Sequence, residues 1–425
     1  MSRCVNISNF TDLEIKKLNK ELNIEKEVSK YAFNVQPEII SLFHLENNIL
    51  HVPFSYDNNF DRPDRKNFSQ CNVEFVGVLR EHQKIVMKES VEFLNKKGSI
   101  IIACYPGFGK TTLATCISCK IKLKTLILCN RIILIKQWAE SIKKNCPDTK
   151  IQILSSKSKL DSKADFYIIN ASNVCKYSRD FFEDIGLVLV DEAHLIMAKT
   201  ISKSMLYLKP RYVIALTATP YRTDGLNILL DMYFGTEKIL RELFRKHFVY
   251  KVETKFKPET KLNSMGKIDW SALIESQCEN QHRNDMIIRI IKFFPDRIFL
   301  VLCKRVSQAT YIYDQLKEKG EDVTSLIGKN QTYEQKSRIL VGTVQKAGVG
   351  FDHPNLNALI LASDVEQYFI QYLGRVFRRE DTEPIIFDYV DENPILFKHF
   401  LTRNEIYKKH GGIVKNFSRE FQNFE

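Results

Sequence analysis

The sequence predicts an α/β protein in which two parallel sheets, each covered by helices, follow one another along the chain. Short runs rich in Ile, Val and Leu alternate with amphipathic stretches, first within residues 76–235 and again within 263–425. The runs contain few alternating polar residues, which is typical of strands buried on both faces of a parallel sheet. The length of 425 residues suits two or three domains rather than one.

The first series alternates apolar runs with helical periodicity. Five runs are predicted strands, namely Ser99–Cys104, Thr125–Cys129, Phe166–Asn170, Leu187–Val190 and Tyr212–Leu216. Amphipathic helices are predicted between them, over Thr111–Lys120 and Ile133–Lys144. This alternation indicates a parallel sheet covered by helices.

The second series repeats the pattern. Its predicted strands are Ile298–Cys303, Ile339–Gly342, Ala358–Leu361 and Ile385–Tyr389, and its predicted helices are Ser307–Lys319 and Val365–Arg378. Outside the two series the chain is polar. Residues 1–75 are expected to form a small N-terminal accessory module on the first sheet. Residues 236–262, which are charged and lack a long buried run, are expected to connect the two units, and 263–425 to hold the second sheet and a C-terminal tail.

Charge and cysteine content narrow the class of protein. The chain has 63 Lys and Arg against 51 Asp and Glu, a net charge of +12, which favours a polyanionic partner, although such a charge can also serve solubility alone. The ten cysteines are scattered, and the single CxxC pair, Cys116 and Cys119, lacks a second pair or a nearby His to complete a zinc site. No apolar run approaches the ~20 residues that span a bilayer, and no signal peptide is recognised. We therefore expect an intracellular protein with reduced thiols, and neither a secreted nor a membrane protein.

A glycine-containing loop after the first predicted strand indicates nucleotide binding. Its two glycines allow the backbone to turn successive N–H groups towards a phosphate, and the following helix adds its positive dipole. The lysine can then reach the β- and γ-phosphates, and the first threonine hydroxyl can bind Mg²⁺. A Gly-Lys-Thr triplet alone can arise by chance, but its position between a buried strand and a helix is specific. The candidate phosphate-binding residues are Gly107, Gly109, Lys110, Thr111 and Thr112.

An acidic tetrad follows the fourth predicted strand. Asp191-Glu192-Ala193-His194 comes directly after Leu187–Val190, at the strand end where ligands bind in open α/β sheets. Asp191 is placed to hold Mg²⁺, usually through water, and Glu192 to polarise the water that attacks the γ-phosphate. The structural alternative, a helix N-terminus that favours acidic residues, loses weight because the phosphate loop lies about eighty residues upstream.

The loop and the tetrad together make the chain resemble the DEAH/DExH-type helicases of superfamily 2. Further motifs of that family follow in order, namely Leu79–Gln83, Thr217–Pro220, Gly342-Thr343 through Gly350-Phe351-Asp352, and Gln371–Arg378. The resemblance covers about residues 79–390 and points to the compact helicases of cytoplasmic large DNA viruses, in the excision-repair and transcription-factor branch. It implies two tandem RecA-like lobes, ATP and Mg²⁺ as cofactors, and DNA in preference to RNA as the partner.

The resemblance also implies roles for individual residues. Two groups of residues would bind ATP. The first, from the glutamine motif, is Arg80 and Gln83, of which the glutamine would select adenine, and the second, from the second lobe, is Gly350, Asp352 and Gln371. Residues that would couple hydrolysis to strand movement are His194, Thr217 and Thr219. Candidate nucleic-acid contacts are Arg131, Ser172, Lys304, Arg305 and Thr343, although for Lys304 and Arg305 a plain solvated loop remains an alternative.

Two arginines of the last motif are candidate arginine fingers. On the predicted helix Val365–Arg378, spacings of four and three place Gln371, Arg375 and Arg378 on one face. Such arginines neutralise charge on the γ-phosphate and are worth ~10³–10⁵ in rate. A solvated basic stripe is the alternative, and the accompanying glutamine, glycine and upstream motif argue against it.

The predicted function is that of an ATP-dependent helicase or translocase, and the resemblance to this branch implies movement 3′→5′ and a role in transcription, replication or repair of viral type. Transcription or repair proteins are expected partners, and the predicted location is the cytoplasm or virion for a viral protein and the nucleus or cytoplasm otherwise. Two alternatives remain open: a duplex translocase that does not separate strands, and a nucleic-acid-binding scaffold switched by ATP.

Overall fold

The chain forms two compact units, Met1–Arg241 and Glu242–Glu425. The computed structural model describes residues 1–8, 10–25, 39–56, 60, 62–155, 158–196, 205–218, 227–264, 266–328, 332–347, 353, 355–365, 369–379 and 381–424. Each unit is built on a seven-stranded sheet in which all the strands are parallel. The predicted α/β class with two tandem parallel-sheet lobes is therefore confirmed.

A small β-rich module precedes the first large sheet. It contains β1 (Ser2–Asn6), α1 (Asp12–Leu22), β2 (Asn23–Glu25), β3 (Ile39–Ser41), β4 (His44–Glu46) and β5 (Ile49–Pro53). These strands form two antiparallel sheets, β1-β5-β4 and β2-β3. Met1 and Phe54 lie in the same hydrophobic core as the first large sheet, and the Ser2 N–H donates to the Leu208 carbonyl at 2.7 Å. The module therefore packs on the first lobe and shares its core.

The first large sheet has the strand order β12-β6-β11-β10-β7-β9-β8. Its strands are β6 (Ser99–Cys104), β7 (Thr125–Cys129), β8 (Ile151–Leu154), β9 (Phe166–Asn170), β10 (Leu187–Val190), β11 (Tyr212–Thr217) and β12 (Lys238–Arg241). Its helices are α2 (Glu81–Lys97), α3 (Lys110–Ile121), α4 (Ile132–Asn145), α5 (Ala193–Ile196) and α6 (Asn227–Phe234). Because the strands are parallel, the residues that follow β6, β7, β9, β10 and β11 all lie at one edge of the sheet, the carboxyl edge.

The second large sheet has the order β15-β16-β14-β17-β18-β13-β19. Its strands are β13 (His247–Glu253), β14 (Phe299–Cys303), β15 (Val323–Leu326), β16 (Ile339–Thr343), β17 (Ala358–Leu361), β18 (Ile385–Val390) and β19 (Gly412–Asn416). Its helices are α7 (Trp270–Glu279), α8 (Gln281–Phe293), α9 (Val306–Glu318), α10 (Val344–Ala347), α11 (Phe369–Val376), α12 (Pro394–Lys409) and α13 (Phe417–Glu420).

The connection between the two sheets is shorter than the predicted segment, 236–262. Strand β12 pairs with β6 in the first sheet, and β13 pairs with β18 and β19 in the second. The boundary between the units falls between Arg241 and Glu242, so much of the segment belongs to the two sheets. The prediction missed these strands because polar side chains interrupt them, Lys251 in β13 among others.

The helix predicted over Val365–Arg378 ends earlier in the structure than the sequence predicts. α11 ends at Val376, and Arg378 lies beyond it. The guanidinium of Arg245 donates to the carbonyls of Phe377, Arg379 and Thr382, with the Thr382 bond at 2.7 Å. These bonds use carbonyl groups at the point where the helix would otherwise continue. Arg378 therefore does not share a helical face with Gln371 and Arg375, which corrects the predicted geometry.

A buried ion cluster fixes α12 to the carboxyl edge of the second sheet. Arg403 donates to Asp388 at 2.8 and 2.9 Å and to Asp364 at 2.7 Å, and the Tyr407 hydroxyl donates to Asp388 at 2.8 Å. All of these side chains are buried. Asp364 precedes α11, so the cluster connects the C-terminal helix to the segment that leads into the arginine motif.

Candidate ATP and nucleic-acid site

The phosphate loop of the first lobe has the backbone that its sequence predicts. Gly107 and Gly109 have φ values of 87° and 86°, in the left-handed region that glycine adopts without strain. α3 begins at Lys110, so its first N–H groups face the loop. The Lys110 ammonium donates to the Cys104 carbonyl at 2.9 Å. Thr111 and Thr112 lie half-buried in the first turn of α3, where their hydroxyls can meet a nucleotide and its metal ion.

Gln83 ties α2 to this loop. Its Nε2 donates to the Phe108 carbonyl at 2.8 Å, and its Oε1 accepts the Arg80 N–H at 2.8 Å. A side chain at Gly109 would place its Cβ 2.5 Å from Gln83 Nε2, so it would displace the Gln83 amide in addition to straining the backbone. Gln83 is buried, whereas Arg80 is exposed. The selection of adenine by Gln83 and the binding of ATP by Arg80 stay predictions, and the geometry adds a bond between Gln83 and the loop that the sequence did not reveal.

The acidic tetrad lies beside the phosphate loop at the carboxyl edge. Strand β10 is separated from β6 by β11 alone, and Asp191 follows β10 directly. Burial, and then the charge of Glu192, raise the pKa of the Asp191 carboxyl to about 6, while the Lys110 charge acts in the opposite direction. Glu192 has a φ of 48°, which is uncommon for a residue with a side chain and is one of the strained conformations that functional sites use. Its Oε2 is buried and accepts no hydrogen bond from the described residues.

Asp191 is held by a residue that the sequence interpretation missed. The indole N–H of Trp138, on α4, donates to Asp191 Oδ2 at 2.8 Å, and the Glu192 N–H donates to Oδ1 at 3.0 Å. Trp138 is 1% exposed. The available signal was a tryptophan on the apolar face of a predicted helix, because a buried indole N–H requires an acceptor. Nothing in the sequence indicated which acceptor, 53 residues away, it would find.

Two of the three predicted coupling residues are in contact. His194 Nδ1 lies 2.8 Å from Thr217 Oγ1, and both side chains are buried. His194 Nδ1 also lies 3.5 Å from Glu192 Oε2. The contact joins the tetrad to the end of β11. Thr219 lies outside the described residues.

The predicted nucleic-acid contacts of the first lobe lie at the same carboxyl edge. Arg131 is exposed and immediately precedes α4, after the end of β7. Ser172 is exposed and lies in a short 3₁₀ helix, Ala171–Lys176, after the end of β9. Its N–H and hydroxyl both donate to Asn170 Oδ1, at 3.1 and 2.7 Å.

The predicted nucleic-acid contacts of the second lobe lie at the carboxyl edge of its own sheet. Lys304 and Arg305 follow β14, and Thr343 ends β16. Lys304 is exposed, whereas Arg305 donates to Ser271 Oγ at 2.6 Å and is partly held.

The arginine motif of the second lobe divides between helix and loop. Gln371 is buried within α11, and Arg375 and Arg378 are half-buried. Burial raises the pKa of Tyr333, and the charges of Arg375 and Arg378 both act to lower it, so both arginines are near enough to influence this tyrosine. Gly350 and Asp352 lie outside the described residues.

Other features of the described chain bear on the class of protein. The ten cysteines are free thiols, and Cys116 and Cys119 are buried in α3. Across the described ranges no three His, Cys, Asp or Glu side chains are grouped to hold a metal ion. No helix in the described parts of the chain has the length and apolar character needed to cross a membrane.

Comparison with known proteins gives consistent matches. A family model described as "Type III restriction enzyme, res subunit" matches residues 77–222. The chain is 42% identical to "Putative helicase 161L" of Invertebrate iridescent virus 6, across 98% of this chain and 100% of that protein. It is 32% identical to "Putative helicase 055L" of Frog virus 3, across 79% of each. In structure it is similar to S. cerevisiae Dbp5 bound to RNA and ADP BeF3, with a TM-score of 0.56 and 14% identity, over 79% of this chain and 90% of that one, which supports the fold. The chain therefore belongs to the superfamily 2 helicases, a family of ATP-hydrolysing enzymes, together with these iridovirus proteins.

Proposed function

We propose that this helicase uses ATP hydrolysis to move 3′→5′ along one strand of DNA and to separate the strands of a duplex, in viral-type transcription, replication or repair. The observation that carries the proposal is the His194–Thr217 contact of 2.8 Å. It joins the candidate ATP site to the end of β11, at the edge where the candidate nucleic-acid contacts of the first lobe also lie. A plain nucleotide-binding protein has no need of such a connection.

The residues of the first lobe divide the work of hydrolysis. The loop N–H groups and Lys110 bind the phosphates, and the buried Oε2 of Glu192, which accepts no hydrogen bond from the described residues, is available to take a proton from the attacking water. Arg375 and Arg378 of the second lobe neutralise the charge that develops on the γ-phosphate. Precise placement of these groups supplies most of the catalysis in phosphoryl transfer.

The donor set suits Mg²⁺. Each oxygen of Asp191 accepts one hydrogen bond and keeps lone-pair capacity, and the Thr111 hydroxyl lies at the first turn of α3. Hard oxygen ligands, partly through water, are what Mg²⁺ prefers. Asp191 and Thr111 would hold the ion, which when bound neutralises phosphate charge.

Nucleic acid would lie along the carboxyl edges, on Arg131 and Ser172 in one lobe and on Lys304, Arg305 and Thr343 in the other. These positions carry donors for backbone phosphates and no array of base-reading groups, which favours binding with little sequence preference. Each phosphate neutralised on a single strand contributes a salt slope of about −0.7. Arg131→Ala should therefore reduce the slope of log K against log[salt] by roughly that amount.

The direct test compares substrates. ATPase rates are measured with single-stranded DNA, duplex DNA and RNA side by side, and unwinding is measured on duplexes with a 3′ or a 5′ single-stranded extension. The proposal expects stimulation by single-stranded DNA and unwinding of the 3′-extended duplex alone.

Other results would overturn it. Unwinding only from a 5′ extension refutes the direction, and stimulation by RNA alone refutes the DNA preference. Stimulation by blunt duplex without strand separation would identify a duplex translocase. Nucleic-acid-stimulated hydrolysis without unwinding or protein displacement would identify an ATP-switched scaffold.

A further inference from the structure

Trp138 connects helix α4 to the carboxylate proposed to hold Mg²⁺. Its indole N–H donates to Asp191 Oδ2 at 2.8 Å, with the tryptophan 1% exposed and the aspartate 8% exposed. A backbone carbonyl would satisfy the indole without burying a charge, so packing alone gives no reason for an ionisable partner. The contact therefore calls for an explanation beyond packing.

The bond fixes the orientation of the carboxylate. Oδ2 accepts from Trp138 and Oδ1 accepts from the Glu192 N–H, so rotation of the carboxyl group would break both bonds. The remaining lone pairs of the two oxygens are left for the ion or its water ligands. Outer hydrogen-bond partners of this kind orient metal-binding side chains, and their loss commonly weakens metal affinity about 10–100-fold.

The position of Trp138 along α4 adds a second link. Arg131, a proposed nucleic-acid contact, precedes the helix, and Trp138 follows it by seven residues. Arg131 is the N-cap of the helix, with an extended backbone, and about two helical turns, a rise of roughly 10 Å, separate it from Trp138. Leu134, Ile135 and Ile142 are buried, so the apolar face of α4 that carries Trp138 packs against the lobe.

We infer that Trp138 is a positioning residue: its indole sets the orientation of Asp191 for Mg²⁺, and α4 makes that orientation responsive to nucleic acid held at Arg131. The second half rests on the proposed function, whereas the first half does not. The competing explanation is that Trp138 only fills the core. In that case its replacement would lower stability and leave metal dependence and nucleic-acid response unchanged.

The first test measures metal-dependent nucleotide binding and needs no turnover. Fluorescent mant-ADP is titrated against the intact chain at increasing MgCl₂, for the wild type and Trp138→Phe. The Mg²⁺ concentration for half-maximal enhancement of binding should rise about 10-fold or more in the variant, while binding in EDTA stays the same. An unchanged Mg²⁺ midpoint in a folded variant overturns the inference.

Two further proteins separate loss of the N–H from loss of packing. In the first, the unnatural amino acid benzothienylalanine replaces Trp138. Its side chain has sulfur in place of the indole N–H and nearly the same volume. It should reproduce the weakened Mg²⁺ dependence with little loss of thermal stability. The second, Tyr167→Phe, is the matched control, because it removes a partly buried hydrogen bond of 2.7 Å, from the buried Tyr167 to the Asp161 carbonyl, elsewhere in the same lobe. It should leave the Mg²⁺ midpoint at the wild-type value. If benzothienylalanine behaves as wild type, the N–H has no positioning role.

The second test addresses the link through α4. Stimulation of ATP hydrolysis by oligo(dT) is measured for Arg131→Ala, Trp138→Phe and the double variant. If α4 connects the two residues, the double variant loses little more stimulation than the stronger single variant, and independent effects that multiply overturn the link. If the wild type itself shows no stimulation by any nucleic acid, the proposed function fails, and the mant-ADP titration still decides whether Trp138 positions Asp191.

Discussion

Replacing Glu192 by Gln should reduce turnover by orders of magnitude and at the same time stabilise the first lobe. The pKa of Asp191 is raised from 3.8 to about 6, which corresponds to roughly 3 kcal/mol of unfavourable interaction of the ionised carboxylate in the folded state. Burial is the largest cause and the charge of Glu192 the second, so removing that charge should recover about 1 kcal/mol. Because the folded pKa lies above the unfolded one, this cost develops as pH rises from about 4 to 6 and is complete at pH 7.

The measurement is thermal unfolding at pH 7 in EDTA, with neither nucleotide nor metal. For a unit of this size, about 1 kcal/mol corresponds to an increase in Tm of roughly 2–4 °C. Turnover should fall by about 10²–10⁴, the usual contribution of a general base. Glu140→Gln, on the exposed side of α4, makes the same change of charge and should alter neither quantity. An unchanged or lower Tm for Glu192→Gln would refute the electrostatic argument, and retained turnover would refute the catalytic one.

Four further substitutions test other parts of the structure. Lys110→Ala should abolish ATP hydrolysis while binding of single-stranded DNA, measured by fluorescence anisotropy, survives; unchanged turnover would remove the lysine from the site. Arg378→Ala should leave ATP affinity within a few-fold but reduce turnover by ~10³ in a steady-state assay, and normal turnover would exclude a role as an arginine finger. Arg403→Met leaves two buried carboxylates without their guanidinium and should cost about 3–5 kcal/mol in urea unfolding; a loss below about 1 kcal/mol would contradict this. Burial lowers the pKa of His247 from 6.5 to about 4, so the free energy of unfolding decreases as pH falls below about 6.5. Between pH 7.5 and 5.0 the wild type should lose about 2 kcal/mol more of this free energy than His247→Gln. Equal losses in the two proteins would be evidence against a neutral buried imidazole.

The central strands of both sheets could be predicted, and the edge strands could not. Every predicted strand of the two large sheets has a neighbour on each side, and these strands read as apolar runs because both of their faces are covered by helices. The strands that were missed are β8, β12, β13, β15 and β19. Four of these are the outermost strands of their sheets, and β13 is next to the outermost. A strand near an edge is partly exposed and admits polar residues, so its sequence loses the continuous apolar signal on which the prediction depended.

The site divides in a similar way between local and long-range features. The loop glycines and Lys110, and the succession of Asp191 and Glu192 after β10, follow from local sequence because strand, turn and helix fix them in place. Contacts between distant residues do not follow from spacing. The bond from Trp138 to Asp191 depends on which strand lies beside which, and the end of α11 depends on Arg245, a residue of the segment predicted to be a connection.

Several unfavourable features of the first lobe are grouped in the acidic tetrad at its carboxyl edge, and their grouping has a functional reason. Within four residues the chain has a carboxylate that is 8% exposed and a glutamate at a φ of 48°, both of which reduce stability, followed by a buried histidine. The preceding strand, β10, is fully buried and lies between β11 and β7, so its pairing and packing offset these costs. A sequence selected for stability alone would place glycine or asparagine at the left-handed position and an apolar residue at the buried one. The tetrad keeps charged groups at both positions, because phosphoryl transfer requires carboxylates at a place where burial and mutual repulsion are unfavourable until a cation binds.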